Sequence, residues 1–317
     1  MRKVHVIHEN DSWVAPLRAQ FAKLGTPVEE WFLDQGVLDL TSAPPDGVFY
    51  NRMSASSHTR DHRYAAEYTG ATLEWLARHD RTIVNGRRAL ALEISKVAQY
   101  ETLARFGVRT PETLAVVGRH NIARAAERLG FPLILKHNRA GKGLGVQLIL
   151  SRLGLDDYLA APEAVTPVDG IWLVQRYIEA PEPFITRVEF VGGRFMYAVR
   201  VDTSQGFELC PADQCQIPEG AACPAVAPSE KFRIVDGFVS PLIQQYEAFL
   251  AANEIGIAGI EFIVDRQGQA FTYDVNTNTN YNPDAEARAG RSGMGAIARY
   301  LTDLLEATSR EKRFVAA

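Results

Sequence analysis

The spacing of apolar residues along this 317-residue chain changes period several times, and each change marks an element boundary. "KVHVI" (3–7), "VEEWFL" (28–33), "GVFYNRM" (47–53) and "RTIVN" (81–85) are short β-branched or aromatic runs that read as strands. "PLRAQFAKLG" (16–25), closed by Gly25, and a stretch from roughly 60 to 79 carry helical spacing. Strands alternating with helices predict a parallel α/β layer ending near residue 84.

Beyond that point the pattern predicts a different architecture, so that the whole chain combines α/β and α+β parts. "NGRRALALEISKVAQYETLARFG" reads as one helix closed by Gly107, and "NIARAAERLG" as a shorter one. "FPLILKHN", "VQLIL" and "GIWLVQRYI" read as strands, the first two flanking a glycine-rich loop with Gly141, Gly143 and Gly145. "TRVEFVGGRFMYAVRVD" alternates on both sides of Gly192-Gly193, which is a hairpin signal. Ser240-Pro241 opens a helix running to about Asn253, and "GMGAIARYLTDLLEA" is a C-terminal helix. "PEGAACPAVAPSE" (218–230) is a loop-like insert.

"AGIEFIVDRQGQAFTYDVN" carries the first candidate chemistry. Strand side chains alternate, so Asp274 and Asn276 share a face. A hairpin through "DRQGQ" brings Glu261 beside them. Three oxygen donors around one point suit a hard cation such as Mg²⁺, although cross-strand polar pairing at a sheet end has the same signature. The glycine loop lies between two strands, so it is neither a dinucleotide fingerprint nor a Walker loop. It can fold over phosphates with Lys136 supplying charge, or it is a hairpin with a solvated lysine. A lysine, a glycine loop and a cation site together suggest a metal–nucleotide. Arg187 and Arg200, flanking the Gly192-Gly193 turn, are suited to phosphate or carboxylate.

Composition narrows the alternatives. With 34 basic and 38 acidic residues, the net charge of −4 gives no reason to expect nucleic acid or an anionic membrane as partner. No apolar run reaches the ~18 residues of a membrane span, and the N-terminus lacks a secretory pattern. Cys210, Cys215 and Cys223 lack CxxC pairing and read as reduced thiols, so the expected setting is cytoplasmic. His58 and His62 stand four apart, but no Glu follows His58 as a zinc-protease motif requires, and no GxSxG elbow is present.

In order and spacing, "FPLILKHNRAGKGLGVQLI", "WLVQRYIE", "FITRVEFVGGRFMYAVRVD" and "GIEFIVDRQGQAFTYDVN" resemble the ATP-grasp carboxylate–amine ligases, closest to the RimK-like, glutamate ligase-type branch. The resemblance runs from about residue 84 to the C-terminal helix. It implies an N-terminal domain over 1–84, a small lobe over 85–180 and a large lobe over 181–317. It also implies ATP with Mg²⁺ or Mn²⁺, and an acyl phosphate made from a small-molecule or peptide carboxylate and attacked by an amino acid amine. Lys96 and Lys136 are then phosphate lysines, and Gly141, Gly143 and Gly145 a mobile cover. Gln175, Arg176, Tyr177 and Ile178 form the adenine hinge, and Arg187 and Arg200 stabilise transferred phosphate. Glu261, Asp274 and Asn276 hold the metal, and a homodimer or tetramer is implied.

The pattern departs from that family in several places. Asp274 replaces a commoner glutamate, and Ser95 and Thr186 stand where acids are usual, leaving Glu179 or Glu182 for the ribose. "TNTNYN", with Asn280, stands where the acceptor side is expected, and the loop over 207–223 where specificity varies. Arg52, at a strand end before "SASS", is placed to meet a substrate carboxylate. An ATP-binding scaffold without turnover, or a phosphotransferase on the same fold, are the rival functions.

Overall fold

The computed structural model describes residues 2–141, 143, 145–204, 206 and 231–315, with side chains to residue 309. All three cysteines, the loop over 207–223 and the insert over 218–230 lie outside the described residues. Strands β1 (Lys3–His8), β2 (Val28–Phe32), β3 (Gly47–Asn51) and β4 (Thr82–Val84) form a wholly parallel sheet in the order β2-β1-β3-β4. Its helices are α1 (Asp11–Leu24) and α2 (Ala65–Arg78). Helix α1 starts five residues before the apolar pattern predicts. The Asn10 side chain accepts from the Trp13 amide and moves the cap ahead of Pro16.

The single helix expected around residues 84–107 is two, α3 (Arg87–Glu93) and α4 (Lys96–Ala104). Ser95 is extended at φ −146°, and its hydroxyl accepts from the Ala98 amide. The second helix is therefore capped afresh, with Lys96 as its first residue. An antiparallel sheet follows in the order β5-β8-β6-β7, from β5 (Thr113–Val117), β6 (Leu133–His137), β7 (Gln147–Ile149) and β8 (Ile171–Arg176). Helices α5 (Ile122–Leu129) and α6 (Arg152–Ala160) cover it around buried Trp172 and Leu133.

The third sheet is antiparallel in the order β11-β10-β9-β12-β13. Its strands are β9 (Phe184–Val191), β10 (Arg194–Asp202), β11 (Phe232–Val235), β12 (Ile257–Val264) and β13 (Ala270–Asn276). The β9–β10 turn needs positive φ at two successive positions, met by Gly192 at 63° and Gly193 at 69°. Helices α7 (Leu242–Ala252), α8 (Pro283–Ala289) and α9 (Gly293–Val315) complete the chain.

Cores do not follow chain order. Ala89, Leu92 and Leu103 of α3 and α4 pack with Phe190, Phe249 and Ile260, so the apolar face of residues 87–104 covers the third sheet, while Lys96, Val97 and Tyr100 hydrogen-bond the small lobe. Val4, Val6 and Val48 of the N-terminal sheet share a core with Ile185, Val199 and Ile257, and with Ile297 and Leu301 of α9. The N-terminal layer and the large lobe are thus one packed body.

Asn85 pins this junction. It is fully buried in the left-handed region at φ 57°, a conformation asparagine tolerates better than most residues. Its Oδ1 accepts from the Gly256 and Ile257 amides at 3.0 and 3.1 Å. Its Nδ2 donates to the Ile257 and Thr277 carbonyls, both at 2.8 Å. Asn85→Ala leaves those four backbone groups without this partner inside the fold. The variant is expected to lose at least about 3 kcal/mol in denaturant unfolding, since each buried unsatisfied group costs ~1–3 kcal/mol. An unchanged unfolding midpoint would contradict this role.

Candidate functional site

A cavity of about 650 Å³ is lined by residues of both antiparallel sheets and, from the N-terminal layer, by Trp13 of α1 and by Ser54 and Ser56 of the loop after β3. Its floor is the β12–β13 pair, where Glu261 lies opposite Asp274 and Gly259 opposite Asn276. The acid–amide trio therefore does share one face, and all three side chains line the cavity. The register slips after Glu261, where Phe262 faces Thr272, so Tyr273 is the extra residue of a bulge. Its hydroxyl hydrogen-bonds the Glu261 carboxylate.

Each carboxylate has a cation. Arg187, buried on β9, donates to Glu189 at 2.5 Å, Glu261 at 2.8 Å and the Thr279 hydroxyl at 2.6 Å. This fan crosses Gly259. A Cβ there would lie 2.3 Å from Arg187 Nη2 and 2.8 Å from Glu189 Oε2. Burial lowers the Arg187 pKa, but its two carboxylates more than offset this and raise it. Burial likewise raises the Glu261 carboxyl above its ordinary range despite Arg187.

Lys96 Nζ lies 2.8 Å from Asp274 Oδ1 and 3.3 Å from the Ala140 carbonyl oxygen. Burial works against its charge, and Asp274 more than offsets that and raises its pKa. Among the described residues, Lys136 has no such partner. It donates to the Tyr100 hydroxyl at 2.8 Å and lies 5.5 and 5.8 Å from the Tyr100 and Tyr273 ring centroids. Burial, with Lys96 adding repulsion, brings its pKa down to about 7. The arrangement suits a polyphosphate with a divalent cation. Two lysines stand above an oxygen-rich floor, and the Asn276 Nδ2 is buried without a hydrogen-bond partner.

Other sequence-predicted residues fall into place unevenly. Gln175, Arg176, Tyr177 and Ile178 all line the cavity. Gln175 donates to Tyr100 and Thr113, while the Arg176 side chain turns out to Glu112. Gly141 and Gly143 also line it, with Gly141 against Ser56; Gly145, at φ 72°, packs against His137 instead. Glu179 and Glu182 stand at the rim, paired with Arg266 and Arg200.

Two arginines do not face the cavity as predicted. Arg200 is outside the lining; its guanidinium stacks 3.4 Å from the Phe184 ring centroid and is held by Glu182. Arg52 is almost fully buried, and its donors are committed to protein acceptors. They reach Asn278 Oδ1 at 3.1 Å, the Trp13 and Thr279 carbonyls at 3.1 and 3.0 Å, and Asn280 Oδ1 at 2.8 Å. Arg52 thus shapes the loop after β13, whereas Asn280 itself reaches the cavity. His62 bonds Glu9 at 2.9 Å, and among the described residues it and His58 form no metal-type cluster.

The sequence reading missed Glu93, Tyr100, Glu189 and Thr279. Tyr100 had a signal, four residues after Lys96 on one helix face. Glu189 did too, two residues after Arg187 on one strand face.

No model of a known protein family matches the chain. The D-alanine–D-alanine ligase of Chromohalobacter salexigens is 25% identical over 222 residues, 68% of this chain and 67% of that one. The structure of a RimK domain ATP-grasp protein from Sphaerobacter thermophilus superposes with a TM-score of 0.65 at 17% identity, covering 94% of this chain and 98% of that one. The ATP-grasp ligase PsnB, solved with a phosphomimetic variant of its minimal precursor, Mg and ADP, gives 0.63 at 15% identity, covering 95% and 98%. The fold is ATP-grasp.

Binding of a phosphate beside Lys136 would be proton-linked. With a pKa near 7 it is mostly neutral at pH 8, and a bound phosphate favours the charged form. Binding of a nonhydrolysable ATP analogue should therefore take up close to one proton at pH 8 and little at pH 6, by linkage. Affinity contributed by this group weakens as pH rises through and above 7. Titration calorimetry in buffers of different ionisation enthalpy reads the uptake, and Lys136→Met should remove most of it. Equal uptake in that variant would refute the assignment.

Proposed function

We propose that this chain, an ATP-dependent carboxylate–amine ligase of the ATP-grasp family, joins a substrate carboxylate to an amine through an acyl phosphate. The observation that carries the reading is one cavity in which Lys96, Lys136 and the glycine hairpin face the Glu261–Asp274–Asn276 floor. ATP is proposed to enter between the small-lobe sheet and β12–β13, with its base at Gln175–Ile178.

The substrate carboxylate attacks the γ-phosphorus, ADP leaves, and the amine then displaces phosphate from the acyl carbon. Glu261, Asp274 and Asn276 would hold a divalent cation, Mg²⁺ or Mn²⁺, which when bound supplies charge neutralisation at the phosphates. The chain's own residues do the rest. Lys96 and Lys136 meet phosphate oxygens, and Arg187 is fixed by Glu189 so that it does not swing with the substrate. The glycine hairpin, whose backbone approaches Ser56, excludes water that would hydrolyse the acyl phosphate. No nucleophilic side chain is required, because the intermediate forms on the substrate.

The test is product analysis with ATP, Mg²⁺ and pooled amino acids and short peptides. ADP and phosphate released only with a particular pool, together with an amide product, are expected. AMP with pyrophosphate would overturn the mechanism, a stable phosphorylated product would mark a phosphotransferase, and ATP binding without turnover would mark a scaffold. Asp274→Asn should cut turnover at least about 100-fold, the scale of losing a group that stabilises transition-state charge. Unchanged turnover would remove the metal-floor assignment.

A further inference from the structure

Among the described residues, one buried carboxyl group at the cavity, Glu93, has no cation within ion-pair distance; burial raises its pKa, and Lys96 is near enough to feel its charge. Glu93 ends α3 and lines the cavity on the side of the N-terminal layer, near Trp13, Ser56 and Asn278. Its Oε2 accepts from the Thr277 amide at 2.7 Å and the Thr277 hydroxyl at 3.0 Å. Its Oε1 accepts only from the Ala55 amide, at 3.3 Å. A carboxylate offers about four acceptor positions, so these three bonds leave one unused on a residue that lines the cavity. Among the described residues, no Lys, Arg or His nitrogen makes an ion pair with it, in contrast to Glu189, Glu261 and Asp274. A buried, unpaired carboxylate is costly unless something supplies the missing cation.

The surrounding charges point the same way. Arg52 is committed to four acceptors, Arg60 to Glu9, and Arg139 to Glu67. Among the described residues, Arg139 keeps one buried nitrogen, Nε, without a partner, but none of these three arginines lines the cavity, so its wall here presents no arginine to a second anion and holds an open acceptor for a cation. The neighbouring Asn278 and Asn280 side chains add neutral hydrogen-bonding groups.

We infer that Glu93 is the docking carboxylate for the ammonium group of the amine substrate, and that the acceptor end of the cavity takes a primary amine presented from the N-terminal layer; the ammonium gives up one proton, to Glu93 or to solvent, before its nitrogen attacks the acyl carbon. The inference rests on the ligase reading above. It deepens that reading, because Lys96 and Asp274 set the phosphate end and Glu93 sets the side from which the second substrate arrives. Glu93 also bridges the 55 turn and the 277 loop, so both walls of the acceptor end are built around one carboxylate.

The experiment uses the full-length protein with the acid and amine found by ADP release, comparing that amine with hydroxylamine. Hydroxylamine is uncharged at neutral pH and yields a hydroxamate and phosphate from the same acyl phosphate. In Glu93→Gln, kcat/KM for the amine relative to that for hydroxylamine should fall tenfold or more, carried mainly by the KM of the amine. An equal fall for both nucleophiles would make Glu93 a scaffold for the two loops and overturn the inference.

A second measurement needs no variant. In the wild-type protein, the hydroxyl analogue of the amine substrate should inhibit with an inhibition constant at least tenfold above the KM of the amine. Comparable values would overturn the inference. A wild-type protein that releases no ADP with any acid fails the ligase reading instead, a result distinct from either of these.

Discussion

Charge balance inside the cleft constrains the rest of the site. Lys96, Lys136 and Arg187 are buried around Glu93, Glu189, Glu261 and Asp274, where unpaired ions are costly. Without a ligand the chain meets this cost internally everywhere but at Glu93. Asp274 holds Lys96, Glu261 and Glu189 hold Arg187, and Lys136 is brought to neutrality near pH 7 by its surroundings. On the proposed reading, a polyphosphate with a divalent cation would exchange those pairings for others, phosphate oxygens meeting the lysines and the cation meeting the oxygens of the floor.

Such an exchange needs walls that do not drift. The walls are held from outside the site, where Asn85 ties the end of β4 to the start of β12 and to the residue after Asn276. Arg52 fastens the next three residues of that loop to the N-terminal layer. The shared core of the two layers makes these polar ties the local expression of one packed body. The small-lobe sheet has its own core around Trp172, separate from that body.

What could be read from the residues alone was what depends on near neighbours in sequence. The strand faces carrying Asp274 and Asn276, the turn at Gly192-Gly193 and the change from parallel to antiparallel sheets all follow from period and turn chemistry. Elements held by few buried residues were missed. Helix α6 buries only Leu155 and shows itself mainly through its Ser151 cap. The α3–α4 break turns on one serine whose capping bond is invisible to periodicity. Arginine roles were hardest, because a guanidinium goes to whichever acceptors the tertiary fold brings. Arg52 found three successive residues more than 220 positions away, Arg200 an aromatic ring and an acid nearby, and Arg187 alone the floor of the cleft. Glu93 gave no signal, since its position at the cavity depends on loops 38 and 184 residues distant.

The missing side chain at Gly259 has a historical consequence. Arg187 and Glu189 occupy the space that any Cβ at 259 would claim, so no substitution there is compatible with both remaining in place. Descendants of this sequence can drift at 187, 189 or 259 only by passing through an intermediate with a damaged cleft, or by changing the three together. The trio is expected to be inherited as a block, and a homologue with a larger residue at 259 should have found a different way to hold its arginine.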